Sequence, residues 1–121
     1  MNRFSKRDRI VRGDDFTAII RGGAFAADDV LVVNVRSNDS ETSVRLGITI
    51  PKKTGSAVVR NRWKRWIREA FRINRDRLPT GLDIVVRPKR DAVGNFAKIA
   101  KSLPSTARRA ARKLDRQEQS D

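Results

Sequence analysis

The sequence predicts an α+β fold, a two-layer α/β sandwich on a small sheet, with elements in the order α-β-β-α-β-α. Three observations predict it. Residues 43–50 alternate apolar and polar side chains with the period of two that marks a half-buried strand, and the valine-rich residues 30–36 also read as a strand. Residues from about 56 to 75 repeat apolar side chains at the helical period of 3.6. Strand and helix patterns are interspersed, and 121 residues suffice for one modest core, so helices covering one face of a sheet is the economical architecture.

Met1 to Gly13 is polar and basic and reads as an extended arm. Asp14 or Asp15 then caps a short helix whose Phe16, Ile19 and Ile20 share a face, and Gly22-Gly23 stops it. In the strand Val30–Arg36, Leu31, Val33 and Val35 point one way, and Val30, Val32, Asn34 and Arg36 the other. Residues 37–42 form a polar turn. In the strand Ser43–Ile50, Val44, Leu46, Ile48 and Ile50 face the core, opposite Arg45, Gly47 and Thr49. The short turn predicts that these two strands form an antiparallel hairpin.

The next helix is the most cationic segment. Ser56 is its expected N-cap. Val59, Trp63, Trp66, Ile67, Ala70 and Ile73 fall on one side, and Asn61, Lys64, Arg65, Arg68 and Arg72 on the other, with Arg60 and Arg62 at the boundary. Glu69 is placed to pair with Arg65 or Arg72. A solvated helix face normally mixes signs, but Arg60 to Arg72 holds six cations and one acid. Such self-repulsion would cost stability unless an anion compensates it. Both tryptophans lie on the apolar side and read as core.

Residues 78–81 form a loop, Asp83–Arg87 a third strand ended by Pro88, and residues 89–94 a second loop. A last helix starts near Asn95 and carries Phe96, Ile99, Ala100 and Leu103. Pro104 is expected to kink or interrupt it, with a restart at Ser105 or Thr106 running through Leu114. Arg108, Arg109, Arg112 and Lys113 make that end basic. Residues 115–121 read as a disordered tail, which leaves residues 1–114 as a single domain.

The net charge of +14 points to a polyanionic partner, most often nucleic acid. No apolar run approaches the roughly 20 residues of a membrane span, and Met1 to Asp15 lacks the apolar core of a signal peptide. A membrane-surface role would need an apolar helix face that the core already claims. There is no cysteine, which fits a reducing cytoplasm, and no histidine. Ser-His-Asp, Cys-His and His-zinc chemistry are thereby excluded. Asp14-Asp15, Asp28-Asp29 and Asp83 read as cap and turn residues rather than metal ligands. As a self-contained enzyme the chain is poorly equipped. A subunit of a ribonucleoprotein enzyme and a structural rRNA-binding protein of ribosomal type both fit this composition.

Arg45-Leu46-Gly47, Lys52-Lys53, and the run from Arg60-Asn61-Arg62 through Lys64-Arg65 to Arg68-Glu69-Ala70-Phe71-Arg72 resemble the bacterial ribonuclease P protein component. The likeness extends loosely from about Arg9 to Leu103, and the signature favours the ribonucleoprotein subunit over the ribosomal reading. It implies a left-handed βαβ crossover. It implies a cytoplasmic endoribonuclease, in which the protein, itself a monomer, binds a catalytic RNA and precursor tRNA and assists removal of the 5′ leader. The RNA performs the hydrolysis with bound magnesium, so no catalytic residue, metal or cofactor is expected in the protein. Carried onto this chain, Lys52, Lys53, Arg60, Asn61, Arg62, Lys64, Arg65 and Arg68 meet the catalytic RNA. Phe16, Ile20, Asn34, Arg36, Arg45 and Thr49 line a leader-binding cleft between the first helix and the open sheet face. Single strands bind by stacking and by cationic tracking of phosphates, which suits these side chains. The chain departs from the family's pattern at Ile20 and Asn34, where aromatics are common, and at Pro51, where Ser is usual.

Overall fold

The structure, a computed structural model, describes residues 13–120. The basic arm and the side chains of Asp14 and Asp15 lie outside the described residues; α1 starts at Gly13, so both aspartates fall within its first turn rather than at the expected cap position. The elements are α1 (Gly13–Gly22), β1 (Ala24–Ala27), β2 (Leu31–Ser37), β3 (Val44–Ile48), α2 (Ala57–Asn74), β4 (Leu82–Pro88) and α3 (Phe96–Ser120). Single 3-10 turns at Lys52–Thr54 and Arg75–Arg77 bracket α2. The fold is α+β, as predicted, with one strand more than predicted. β1 is four residues long and reads Ala-Phe-Ala-Ala, a composition with little strand propensity.

The four strands lie in the order β1-β2-β4-β3. The expected hairpin of β2 with β3 does not form, because β4 is inserted between them. It pairs antiparallel with β2 and parallel with β3, which makes β3-α2-β4 a crossover unit. Two features explain the insertion. Ile84, Val85 and Val86 are all fully buried, so β4 needs cover on both faces and belongs at the sheet centre. The connection after β2 also opens to admit the chain entering β4. Asn38 N–H donates to the Gly81 carbonyl at 3.0 Å, and Gly81 N–H donates to the Ser43 carbonyl at 2.6 Å. Gly81 has φ +76°, and a Cβ there would sit 2.6 Å from the Ser40 carbonyl oxygen, so only glycine fits between the strand ends.

One sheet face carries α2 and α3. Leu31, Val33, Val35, Val44, Leu46, Ile84 and Val86 pack there against Trp63, Ile67, Phe71, Ile99, Leu103 and Leu114 in a single core. The other face carries α1, through a small cluster of Ile19, Val85 and Phe16. Helices therefore cover both faces rather than one.

α3 is one helix through Ser120, with Pro104 inside it. The expected interruption is absent, and residues 115–120 are helical rather than a disordered tail. A proline at position 104 has no N–H for the carbonyl of Ala100. Asn74, buried at the end of α2, supplies the missing donor. Its Nδ2 donates to the Ala100 carbonyl at 2.9 Å and to the Ala70 carbonyl at 2.9 Å, so one amide group closes α2 and repairs α3. Removing it is expected to cost about 1–3 kcal/mol, the penalty for a buried carbonyl left without a donor. A double-mutant cycle in urea checks this. Asn74→Ala is expected to destabilise the native chain more than it destabilises Pro104→Ala, where the restored N–H serves Ala100.

Asp28 ties the β1–β2 turn to α3. Its Oδ1 accepts from the N–H groups of Val30 and Leu31, each at 2.8 Å, and its Oδ2 accepts from Ser102 Oγ at 2.5 Å and Thr106 Oγ1 at 3.2 Å. Burial raises the carboxyl pKa, but the bonds from Ser102, Leu31, Val30 and Thr106 outweigh it, and the net value is lowered. The carboxylate therefore stabilises the fold above the unfolded pKa of about 3.9 and loses that contribution as pH falls through the lower folded value. The stability gap between the native chain and Asp28→Asn is expected to narrow below pH of about 4, read from melting curves across pH 2.5–7.

Candidate nucleic-acid interface

α2 is built with two chemically opposed sides. Ser56 caps it as predicted, its Oγ accepting from Val59 N–H at 3.3 Å. Trp63, Ile67, Ala70, Phe71 and Asn74 are buried. The buried line follows i, i+3, i+4, i+7 from Ile67, which places Phe71 inside it, whereas Ile73 is 47% exposed. At 100° per residue Phe71 lies about 40° from Ile67 and Ile73 about 120° away, so the apolar stripe includes Phe71 rather than the predicted Ile73. Trp63 is buried and Trp66 half-buried, and they meet edge to face at 5.9 Å.

The outward side carries Asn61, Arg62, Arg65 and Arg68, all exposed, with Arg60 and Lys64 half-buried beside them. Glu69 pairs with Arg72, whose Nε donates to it at 3.1 Å, and this hydrogen bond holds the Glu69 carboxyl below its ordinary value. The single acid of the segment is thus engaged at the far end from Arg60. Lys52 and Lys53 are exposed on the 3-10 turn before α2. Lys53 also lines a cavity of about 340 Å³ with Pro51, Thr54, Pro88, Lys89 and Arg90, between the chain leaving β3 and the chain leaving β4. Lys89 and Arg90 looked like plain loop in the sequence. Only the parallel pairing of β3 with β4 brings them beside Lys53. Gly94 seats the loop against α2, since a Cβ there would lie 2.4 Å from the Trp63 ring.

The second group of predicted residues lies on the sheet face under α1, in three rows set by the strand register. The middle row is Phe25, Asn34, Val85 and Gly47. Ile19 packs on Val85, and the Phe16 ring lies over Gly47, where a Cβ would sit 2.4 Å from it. Asn34 is buried at 4% exposure, and among the described residues none donates to its Oδ1. Ile20 is exposed at the margin of α1.

One flanking row is Arg36, Asp83 and Arg45. Asp83 has a side chain only 1% exposed and takes Arg45 Nε at 2.8 Å, Arg45 Nη2 at 2.5 Å and Asn38 Nδ2 at 3.2 Å, with Arg36 at 3.8 Å. A buried carboxylate held this way fixes both arginines at the sheet surface. The other flank holds Arg87, opposite Val32, with Thr49 bonded through its N–H to the Val86 carbonyl at 3.1 Å. Arg87 was missed as a site residue, although alternation from Asp83 and Val85 places it on this face.

A model of the ribonuclease P family matches residues 4–111. The ribonuclease P protein component of Desulfosudis oleivorans is 37% identical over 117 residues, covering 94% of this chain and 96% of that one. The component from Thermotoga maritima is 38% identical over 96 residues, 79% of this chain and 81% of that one. The solved ribonuclease P protein of Thermotoga maritima superposes with a TM-score of 0.77 at 34% identity, covering 85% of this chain and 97% of that chain.

Proposed function

The chain belongs to the ribonuclease P protein family, and on that premise we propose that it holds the catalytic RNA on α2 and the single-stranded 5′ leader of precursor tRNA in the cleft under α1. The protein is a subunit of the ribonuclease P endoribonuclease, a ribonucleoprotein that matures tRNA. The observation that carries the RNA assignment is the division of α2. Its apolar side is consumed by the core, while its outer side presents Asn61, Arg62, Arg65 and Arg68. Guanidinium groups in that density fit phosphate oxygens through paired N–H donors. Lys52, Lys53, Lys89 and Arg90 extend the cationic surface past the start of the helix.

The leader assignment rests on different chemistry. Phe16 offers a ring to a base, Arg36 and Arg45 are held by Asp83 half-exposed along the row where phosphates would run, and the Asn34 Oδ1 acceptor has no donor of its own among the described residues. With Ile20 and Asn34 in place of aromatics, the cleft reads a strand by one stacking surface and by polar contacts. Among the described residues no three carboxylate, histidine or cysteine side chains come together to hold a metal ion. On the family reading, the magnesium of the reaction is held by the RNA subunit. The protein's part is to position RNA and screen its charge, as a single copy acting in the cytoplasm. No helix among the described residues is long and apolar enough to cross a membrane.

With about five phosphates on α2, log K for the catalytic RNA is expected to fall against log salt with a slope of roughly −3.5 to −4.5. Arg65→Ala with Arg68→Ala is expected to make that slope shallower by about 1–2 while leaving the melting temperature nearly unchanged. A wild-type slope in filter binding overturns the α2 assignment. For the cleft, Phe16→Ala is expected to weaken holoenzyme affinity for precursor tRNA by about 1–3 kcal/mol and to leave affinity for mature tRNA unchanged. Equal losses for the two ligands, in a variant whose circular dichroism is native, rule out leader recognition by Phe16.

A further inference from the structure

Phe25 has no task in either site or in the core. It is 55% exposed, and no other aromatic side chain among the described residues is as open. Ala24 and Ala26, its neighbours in β1, belong to the core on the α2–α3 side of the sheet. By alternation Phe25 stands on the opposite face, the one that carries α1. The register agrees, since Phe25 pairs with Asn34, Asn34 with Val85 and Val85 with Gly47. Phe25 therefore ends, at the β1 edge, the row that Phe16 closes over Gly47 at the β3 edge. Three strand spacings, about 14 Å, separate the two ends. Ile19 of α1 packs on Val85 between them. Of the six residues predicted for the cleft only Phe16 is aromatic, so Phe25 adds a second ring to this face.

A single exposed apolar side chain is ordinary on a protein surface. Three observations set this one apart. First, β1 is an edge strand whose Phe25 and Ala27 carbonyls accept from Lys113 Nζ at 3.1 Å and Arg109 Nη2 at 3.0 Å. Acceptors that an added strand would use are thus engaged, which disfavours the edge of a second copy as the occupant. Second, the same Lys113 ammonium stands 5.5 Å from the centroid of the Phe25 ring. It comes from α3, on the opposite face, and reaches the ring round the edge of the sheet. One of its N–H groups serves the carbonyl, and two are left for an acceptor outside. Its helix neighbours three and four residues away are Arg109, Ala110, Arg116 and Gln117, none of them an acid. Third, the cross-strand neighbour Asn34 is 4% exposed, and its Oδ1 has no donor among the described residues. The rest of the row is buried, so one ring with one cation is too small a surface for a protein groove or a membrane anchor. It has the size and chemistry of a nucleotide site, with a base on the ring and a phosphate on the ammonium.

We propose that Phe25 is a second stacking platform for the single-stranded leader, taking one base on its ring and an adjoining phosphate on Lys113. The proposal rests on the reading of the face under α1 as the leader site. It extends that site from the Phe16 end of the row to the β1 edge and gives α3 a part in it through Lys113. Stacking on a ring tolerates any base, so Phe25 adds affinity for a leader rather than a preference for its sequence.

The test uses holoenzyme assembled from the full chain and the catalytic RNA of the same organism. Phe25→Ala is expected to weaken affinity for precursor tRNA by about 5–30-fold. Affinity for mature tRNA and for the catalytic RNA is expected to stay the same. The melting temperature is expected to hold, because the ring is more than half exposed. Phe25→Trp is expected to keep the native affinity. Phe25→Leu, which keeps apolar bulk without a ring, is expected to lose as much as alanine, and it carries the test if the alanine variant melts early. Lys113→Gln is expected to make the log–log salt slope for precursor tRNA shallower by about 0.7, and an unchanged slope overturns the phosphate contact. Leaders with an abasic sugar at one position at a time locate the base. One position is expected to cost affinity in the native holoenzyme and nothing in Phe25→Ala. Native affinity for precursor tRNA in folded Phe25→Ala or Phe25→Leu overturns the proposal, and so does an equal loss for mature tRNA. Phe16→Ala is run in parallel on the same substrates. If it loses leader affinity and the Phe25 variants do not, the cleft reading stands and Phe25 is an edge side chain only. If neither loses it, the cleft reading itself has failed.

Discussion

The pairing of β4 between β2 and β3 is the constraint on which the rest of this structure depends. It makes the sheet mixed, sends α2 across as the crossover, and brings the chain after β4 back beside the chain after β3. Its register puts Asp83 between Arg36 and Arg45 and puts Val85 under Ile19. Had β2 and β3 closed as a hairpin, Arg36 and Arg45 would have faced one another with no carboxylate between them. The central strand both fills the core and sets the charge pattern of the open face.

α2 shows how a stable helix can carry uncompensated charge. Six cations within thirteen residues repel one another, and surface pairs such as Arg72 with Glu69 recover little. Stability comes instead from the opposite side, where Trp63, Ile67, Ala70 and Phe71 are buried at several kcal/mol per large side chain. Burial outweighs repulsion by enough to leave the guanidinium side exposed. α3 repeats the arrangement with different means. Its buried line runs through Ile99, Leu103, Ala107, Ala110 and Leu114, two of its cations serve the β1 edge, and the others face outward.

Polar groups inside the fold are few, and several are joints between elements. Asn74 links α2 to α3, Asp28 links the β1–β2 turn to α3, and Asp83 links β2, β3 and β4. Each joint is a side chain with two or more partners, which fixes orientation more strongly than apolar packing does. The Asn34 carbonyl oxygen stands apart from them. It is buried beside the cleft without a protein donor among the described residues.

By itself the sequence determined what local periodicity and composition can carry. The strands at Leu31–Ser37, Val44–Ile48 and Leu82–Pro88, the Ser56 cap, the two sides of α2, the basic character and the family signature were all legible, because each depends on residues near one another in the chain. The β1 strand escaped because alanine is a weak strand former and four residues leave no period to read. Partner choice in the sheet was decided only in three dimensions. A polar turn between two alternating strands looks the same whether or not a remote strand comes between them, and the Gly81 passage that admits β4 has no local signature. The continuity of α3 was decided there too. Pro104 breaks a helix in isolation, and only the amide of Asn74, thirty residues earlier and one helix away, supplies the hydrogen bond that lets it continue.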